Sequence, residues 1–153
     1  MIPILMYHSI RDVEKSEVMR SLHVSPKKFS QQMLTLRALG YKGVSVTQAF
    51  QCIQRGERDK NIVAISFDDA YRNVYEIALP LLSKLGFSAT IYVPTNYIGE
   101  CNYWDHHLGI SKNSIMSSEE IIKAADAGFE IGSHGLNHVD LTTADSEILN
   151  KEL

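Results

Sequence analysis

The strongest constraint on the fold is a short, largely apolar run, Ile62–Phe67, that ends in two adjacent carboxylates, Asp68 and Asp69. A run of this length, rich in β-branched residues, predicts a buried strand of the kind found in parallel sheets covered on both faces. Ligands of such α/β folds bind at the carboxyl ends of the strands, where the two carboxylates fall. Because adjacent like charges repel, we expect a compensating partner: a metal cation, a basic side chain or water. An Asp-Asp turn that caps the next helix is the alternative.

The rest of the chain alternates between strand and helix signals. Further strands are predicted at 2–7, 44–46, 88–93 and 129–132. Helices are predicted over 26–39, 47–54, 73–85 and 118–127, and from about 142 to the end. The clearest helix starts are Ser25-Pro26, with Ser as N-cap, and the capping box that begins at Ser117. The segments 11–24 and 95–116 are predicted to be loops, and 56–61 a charged turn. Five successive strand–helix units predict a parallel α/β architecture in one domain over residues 1–153.

Composition excludes several classes of protein. The chain has 153 residues, of which 44% are hydrophobic, enough for one domain with a substantial core. Its formal net charge of −3 gives no indication of a nucleic-acid surface. No stretch approaches the roughly 20 apolar residues that a membrane span needs. The apolar N-terminus is too short for a signal peptide, so the sequence leaves the compartment open.

A second chemical marker, His134-x-x-x-His138, follows the fifth predicted strand. Two imidazoles four positions apart can converge on one cation, and a carboxylate from another strand end can complete the set. Three protein ligands with open positions are typical of a catalytic metal site. The His pair alone is weak evidence, because a solvent-facing pair is more common. Its position after a strand, together with Asp68-Asp69 after another strand, makes a metal site the stronger interpretation.

These motifs resemble those of the polysaccharide deacetylase family, the NodB-homology domain. The family's Thr/Ser-Phe-Asp-Asp motif corresponds to 66–69, and its Gly-x-x-Ile/Leu-x-Ser-His-Ser/Thr-x-x-His motif corresponds to 128–138. Supporting similarities lie at 5–10, 29–41 and 89–93. The resemblance implies a NodB-type distorted (β/α) barrel. It also implies a hydrolase that removes N-acetyl or O-acetyl groups from a carbohydrate polymer such as peptidoglycan or a chitin-like or poly-N-acetylglucosamine glycan. Members of the family are often exported or associated with the cell envelope.

The resemblance assigns roles residue by residue. Asp68 corresponds to the catalytic base, and the divalent metal is expected on three ligands: Asp69, His134 and His138. Zinc is the expected metal, and Co, Ni, Mn or Fe would fit the same ligands. One departure is Gly135, where the family usually has Ser or Thr, and we expect it to affect loop geometry more than ligation.

Three aromatic or imidazole side chains are candidates for substrate binding: His8, Tyr97 and Trp104. His8 ends the first predicted strand, so it is expected to face the same end of the sheet as Asp68. Tyr97 and Trp104 fall in the long predicted loop and could stack on sugar rings. Ordinary packing is the alternative for all three.

The family also carries later motifs that nothing after His138 matches: an Arg-containing motif that orients the base, an Asp/Trp motif, and a Leu-x-His motif that supplies the general acid. Five strand–helix units cannot close a barrel, since complete eight-unit barrels take about 250 residues. A truncated product, a fragment, and a homo-oligomer that covers the open edge of the barrel are the alternatives.

Two other functions remain open at this stage. One is a non-catalytic carbohydrate-binding or metal-binding remnant of the same fold. The other is an iron oxygenase with two His and one carboxylate, which strand–helix alternation disfavours because such sites usually occupy antiparallel β scaffolds.

Overall fold

The computed structural model describes residues 2–57 and 61–153 and contains a parallel five-stranded sheet. Its strands are β1 (Ile4–Tyr7), β4 (Lys42–Val44), β5 (Ile62–Phe67), β6 (Thr90–Val93) and β7 (Glu130–Ser133). A separate two-stranded parallel pair consists of β2 (Ser9–Ile10) and β3 (His23–Val24). The main sheet has the order β1-β5-β6-β7, and β4 pairs with the first half of β5. The predicted parallel α/β class, organised as part of a barrel, is confirmed.

Strand β5 is the centre of the sheet, as its sequence predicts. All six of its residues are buried, and its bounds coincide with the predicted run. Tyr7 at the end of β1 pairs with Phe67 at the end of β5, and β6 pairs with β5 on its other side. Strands β1 and β5 therefore end at the same level, β6 and β7 run two residues further, and the residues that follow these four strands gather at one edge.

The described residues contain five α-helices. They are α1 (Pro26–Ala38), α2 (Val46–Gln54), α3 (Leu79–Leu85), α4 (Ser118–Asp126) and α5 (Ser146–Glu152). The predicted N-cap of α1 is confirmed, because the Ser25 side chain accepts a hydrogen bond from the Lys28 amide. The predicted capping box of α4 is confirmed between Ser117 and Glu120. Each cap satisfies backbone amides that the first helical turn leaves without partners.

The main core lies between the sheet and the helices α1 and α3. Tyr7 from β1, Phe29 from α1 and Phe67 from β5 form an aromatic cluster with ring centroids 5.2–5.9 Å apart. Because Phe67 immediately precedes Asp68, this packing fixes the end of β5 at the point where the carboxylates begin.

Several predicted boundaries are wrong by a few residues. Strand β4 ends at Val44 rather than continuing to 46, because Ser45 leaves the strand and forms a capping box with Gln48 at the start of α2. The last helix starts at Ser146, not near Thr142, because Thr142 forms a turn in which its amide and hydroxyl bond the Asp140 carboxylate.

Two other predictions miss local detail. The helix predicted over 73–85 is present, but its first part, Val74–Ala78, is π-helical and runs without a break into α3. Pro80 accounts for the wider turn, because proline has no amide to donate to the carbonyl four residues earlier and its ring crowds that carbonyl. The segment 11–24 contains strand β3 rather than only loop. The charged turn predicted over 56–61 lies partly outside the described residues.

In the part of the chain that the structure describes, no helix has both the length and the apolar character needed to cross a bilayer.

Candidate metal and catalytic site

Three side chains from two strand ends converge at the carboxyl edge of the sheet. Asp69 follows β5, and His134 and His138 lie in the loop after β7. The Oδ1 atom of Asp69 lies 3.0 Å from Nε2 of His138 and 3.4 Å from Nε2 of His134. Asp69 is 3% exposed, whereas both histidines remain partly open to solvent. The three residues predicted as metal ligands therefore form a half-open cluster.

The cluster fits a divalent cation better than it fits a hydrogen-bonded triad. Oδ1 of Asp69 is buried and has no hydrogen-bond partner of acceptable geometry among the described residues. A buried carboxylate oxygen without a hydrogen-bond partner destabilises the folded state, so a ligand is expected to supply the missing interaction. Two ligands about 2.1 Å from one cation, at tetrahedral or octahedral angles, lie about 3.0–3.4 Å apart. The observed separations fall in this range, and no other group of three candidate ligands converges in the described residues.

The backbone at the cluster is held in an unusual conformation. Asp69, Ala70 and His138 have φ values of 69°, 50° and 55°, and the described residues contain just one other non-glycine residue with positive φ. Left-handed conformations cost non-glycine residues of order 1–3 kcal/mol each and concentrate at functional sites. Hydrogen bonds on either side maintain the turn after β5, since the Asp68 amide donates to Tyr7 and the carbonyl of Ala70 accepts from the Met116 amide.

The electrostatics of the cluster favour an ionised carboxylate. Burial by itself raises the pKa of Asp69, but the facing imidazoles of His134 and His138 outweigh burial and hold that pKa well below its usual range. In return, Asp69 raises the pKa of His138 against the opposing effect of its burial. The negative charge is thus retained on a buried side chain, as a cation ligand requires.

Asp68, the predicted catalytic base, lies beside the cluster and is partly buried. Burial raises its pKa, while the nearby imidazoles of His8 and His134 act in the opposite direction. The structure therefore places His8 within electrostatic range of Asp68 at the same edge of the sheet.

The two aromatic candidates, Trp104 and Tyr97, form a row of rings with His138. The Trp104 ring stacks on the His138 ring, with centroids 4.7 Å apart and an interplanar angle of 24°. The Tyr97 ring packs in turn on the Trp104 ring, with centroids 4.8 Å apart. Both aromatic side chains also pack against the main core. In this structure Trp104 contacts the cluster directly, and Tyr97 contacts it through Trp104.

Sequence reasoning missed one residue of the site, Glu152. Its carboxylate accepts hydrogen bonds from the loop that carries both histidines. It lies fourteen positions beyond His138 on a helix whose start was predicted wrongly, and no local motif marks it.

The sequence profile of the polysaccharide deacetylase family matches residues 55–153, which include both strand ends and all three clustered side chains. The chain belongs to the polysaccharide deacetylase family. It is 33% identical over 141 residues to the Bacillus subtilis protein YxkH, which is assigned to the polysaccharide deacetylases. It is 28% identical over 146 residues to a poly-β-1,6-N-acetyl-D-glucosamine N-deacetylase of Staphylococcus aureus. These matches cover 92% and 88% of the chain, but 44% and 49% of the relatives. The chain thus spans about half the length of the curated relatives it matches.

Solved structures of family members give the same result for the fold. The Streptococcus pyogenes deacetylase PplD, determined with acetate, superposes with a TM-score of 0.77 at 27% identity. A polysaccharide deacetylase of Bacillus cereus, BC0361, gives the same TM-score at 26% identity. The alignments cover 99% of this chain, and 63% and 44% of those chains respectively. The predicted NodB-type fold is confirmed over the length of the chain.

Proposed function

We propose that the chain provides the metal site and catalytic base of a metal-dependent deacetylase that acts on an N-acetylated polysaccharide. The observation that carries the proposal is the convergence of Asp69, His134 and His138 around one unpartnered carboxylate oxygen, directly beside Asp68. A polymer of N-acetylglucosamine is the favoured substrate because the S. aureus relative is named for that polymer.

Within this proposal, Asp69, His134 and His138 hold a divalent cation, with zinc expected from the mixed nitrogen and oxygen ligands. Such a cation supplies Lewis acidity, which lowers the pKa of water to about 7 and polarises a carbonyl group. The half-open exposure of both histidines leaves room for a substrate acetyl group on the solvent side.

Asp68 is assigned as the general base. Its position next to Asp69 places a second carboxylate at the cluster, and its different surroundings give it a different role. Burial moves the pKa of Asp68 upwards, towards the range in which a carboxylate accepts a proton near neutral pH. Asp69 remains ionised and serves as a ligand, whereas Asp68 takes the proton from the attacking water.

The test is acetate release from β-1,6-linked N-acetylglucosamine oligomers and from acetylated chito-oligosaccharides. O-acetylated xylan oligomers test in parallel whether acetyl esters are cleaved. We expect zinc-dependent release from an N-acetylated substrate. We expect release to fall by at least 100-fold in Asp68→Asn, because loss of general base catalysis typically costs 10²–10⁴-fold.

Zinc binding should survive in Asp68→Asn, which separates the role of the base from that of the ligands. A wild-type chain that binds zinc but releases no acetate would contradict the proposed activity. That outcome would favour a non-catalytic, metal-binding or carbohydrate-binding module of the same fold.

A further inference from the structure

The loop between the two histidines has backbone groups that cannot be satisfied by regular secondary structure. Gly135 and His138 both have positive φ, so the loop 134–138 leaves the helical and extended regions twice in five residues. Such a loop keeps one shape only if its amides and carbonyls find partners elsewhere. The shape matters, because it sets where the side chains of His134 and His138 start relative to Asp69.

The carbonyl side of the loop is held by the segment that follows β6. The Thr95 amide donates to the carbonyl of Gly135 at 3.1 Å, and the Asn96 amide donates to that of Leu136 at 3.0 Å. The side chain of Asn96 also donates to the side-chain oxygen of Asn137 at 2.9 Å.

One carboxylate, that of Glu152 in α5, holds the amides in the middle of the loop. Two other amides have local acceptors: the Gly135 amide donates to the Ser133 hydroxyl, and the His134 amide donates to the carbonyl of Val93. One oxygen of the Glu152 carboxylate, Oε2, accepts from the amides of Leu136 and Asn137 at 3.1 and 2.8 Å. The other, Oε1, accepts from the Asn137 side-chain amide at 2.7 Å. Glu152 is 5% exposed, and its carboxylate also interacts with the backbone of Val139, immediately after the loop. A buried carboxylate bonded to neighbouring amides of one loop restrains that loop more strongly than neutral contacts do.

Gly135 makes this approach feasible. A Cβ atom at this position would lie 3.0 Å from Oε2 of Glu152, in addition to the strain of a φ of +77°.

We propose that Glu152 is a positioning residue whose carboxylate fixes the 134–138 loop so that His134 and His138 converge on Asp69. The inference rests on the proposed metal site and adds to it a residue outside the ligand set. Glu152 touches neither the ligand atoms nor the reacting groups, and it acts through the loop backbone.

The test compares zinc affinity, by isothermal titration, in the 153-residue wild-type chain, Glu152→Gln and the matched control Glu147→Gln. Glu147 is on the same helix but exposed, and it pairs with Lys151 rather than with the loop. Glu152→Gln places an NH₂ group against backbone amides, so we expect zinc affinity to fall by about 10–100-fold, the usual cost of losing a group that orients a metal ligand. Glu147→Gln should bind zinc as the wild type does.

A readout that distinguishes positioning from general stability is the visible absorption of the cobalt-substituted protein. We expect Glu152→Gln to change the Co²⁺ spectrum while its circular dichroism stays that of the wild type, and Glu152→Asp to restore part of the zinc affinity. If Glu152→Gln fails to fold, Gly135→Ala perturbs the same contact from the loop side and should weaken zinc binding likewise.

Unchanged zinc affinity and an unchanged Co²⁺ spectrum in folded Glu152→Gln would overturn the inference and leave the proposed function standing. A wild-type chain that binds neither metal would overturn both.

Discussion

Asp69 and Glu130 lie at opposite ends of the same sheet and are partnered in different ways. Glu130, at the start of β7, accepts hydrogen bonds from the Ser45 hydroxyl at 2.6 Å, from the Thr90 hydroxyl at 3.0 Å and from the Thr47 amide at 3.3 Å. Asp69, after the end of β5, is more deeply buried, yet its Oδ1 atom has no hydrogen-bond partner among the described residues.

Their hydrogen-bond partners distinguish a carboxylate that stabilises the fold from one that is available to a ligand. The donors of Glu130 come from β6 and from the start of α2, so this carboxylate joins three elements and its burial is compensated within the fold. Asp69 instead faces two imidazole nitrogens and lies on a backbone with positive φ. This arrangement costs strain without giving its Oδ1 atom a hydrogen bond. A carboxylate whose burial is uncompensated in the fold is expected to be compensated by a ligand.

The largest effect that separates the two carboxylates is expected from Asp69→Asn. At a zinc concentration 100 times the dissociation constant, binding stabilises the folded state by about 2.7 kcal/mol. We expect urea unfolding to show this stabilisation in the wild type and to show none in Asp69→Asn. If zinc still stabilised Asp69→Asn by the wild-type amount, the assignment of Asp69 as a metal ligand would be contradicted.

The next effect, on stability rather than on metal binding, is expected from Glu130→Ala. The change leaves two hydroxyls and one amide without their acceptor, so we expect the free energy of unfolding to fall by about 1–3 kcal/mol. Urea unfolding measures this loss, and zinc affinity should remain that of the wild type. Glu147→Ala is the control, since an exposed substitution should stay within about 0.5 kcal/mol. Loss of zinc binding in folded Glu130→Ala would remove the distinction between the two ends of the sheet.

The contribution of Glu130 should also depend on pH. Burial raises the pKa of Glu130, but hydrogen bonds from Ser45, Thr47 and Thr90 outweigh burial and lower that pKa below its usual value. A depressed folded-state pKa means that ionisation favours the folded protein. The stability difference between wild type and Glu130→Gln should therefore be full at neutral pH and shrink as the pH falls below about 4. Urea unfolding between pH 7 and pH 3 measures it, and a difference that grows on acidification would contradict the assignment.

The smallest effect is expected from Trp104, which stacks on the His138 ring. Aromatic pairs contribute about 0.5–1.5 kcal/mol beyond their buried area, so Trp104→Ala should weaken zinc binding by up to about 10-fold and Trp104→Phe by less. Titration with zinc measures the effect. A higher KM for oligosaccharide with unchanged zinc affinity would instead identify Trp104 as a surface for sugar stacking.

Much of this site could be predicted from the sequence because its parts are local. The run before Asp68 fixes a buried strand, and the spacing of His134 and His138 after another strand places both at the same edge. Parallel pairing then brings the three ligands together without any further information. The same locality explains why the caps at Ser25 and Ser117 were predicted correctly.

The remainder depends on contacts between residues that are distant in sequence. The hydrogen bonds of Glu152 reach fifteen and sixteen residues back along the chain, and the start of α5 follows from a turn at Asp140 that competes with helix formation. The stacking of Trp104 on His138 likewise depends on how the 95–116 segment folds over the sheet. Residue type and spacing contain no signal for such contacts.

The most direct test of the central claim is the metal content of the purified 153-residue chain after incubation with zinc and removal of the excess. We predict one zinc ion per chain, a melting temperature that falls when EDTA removes it, and loss of the bound zinc in His134→Ala and His138→Ala. A wild-type protein that retains no metal, and whose melting temperature is the same with zinc and with EDTA, would contradict the account.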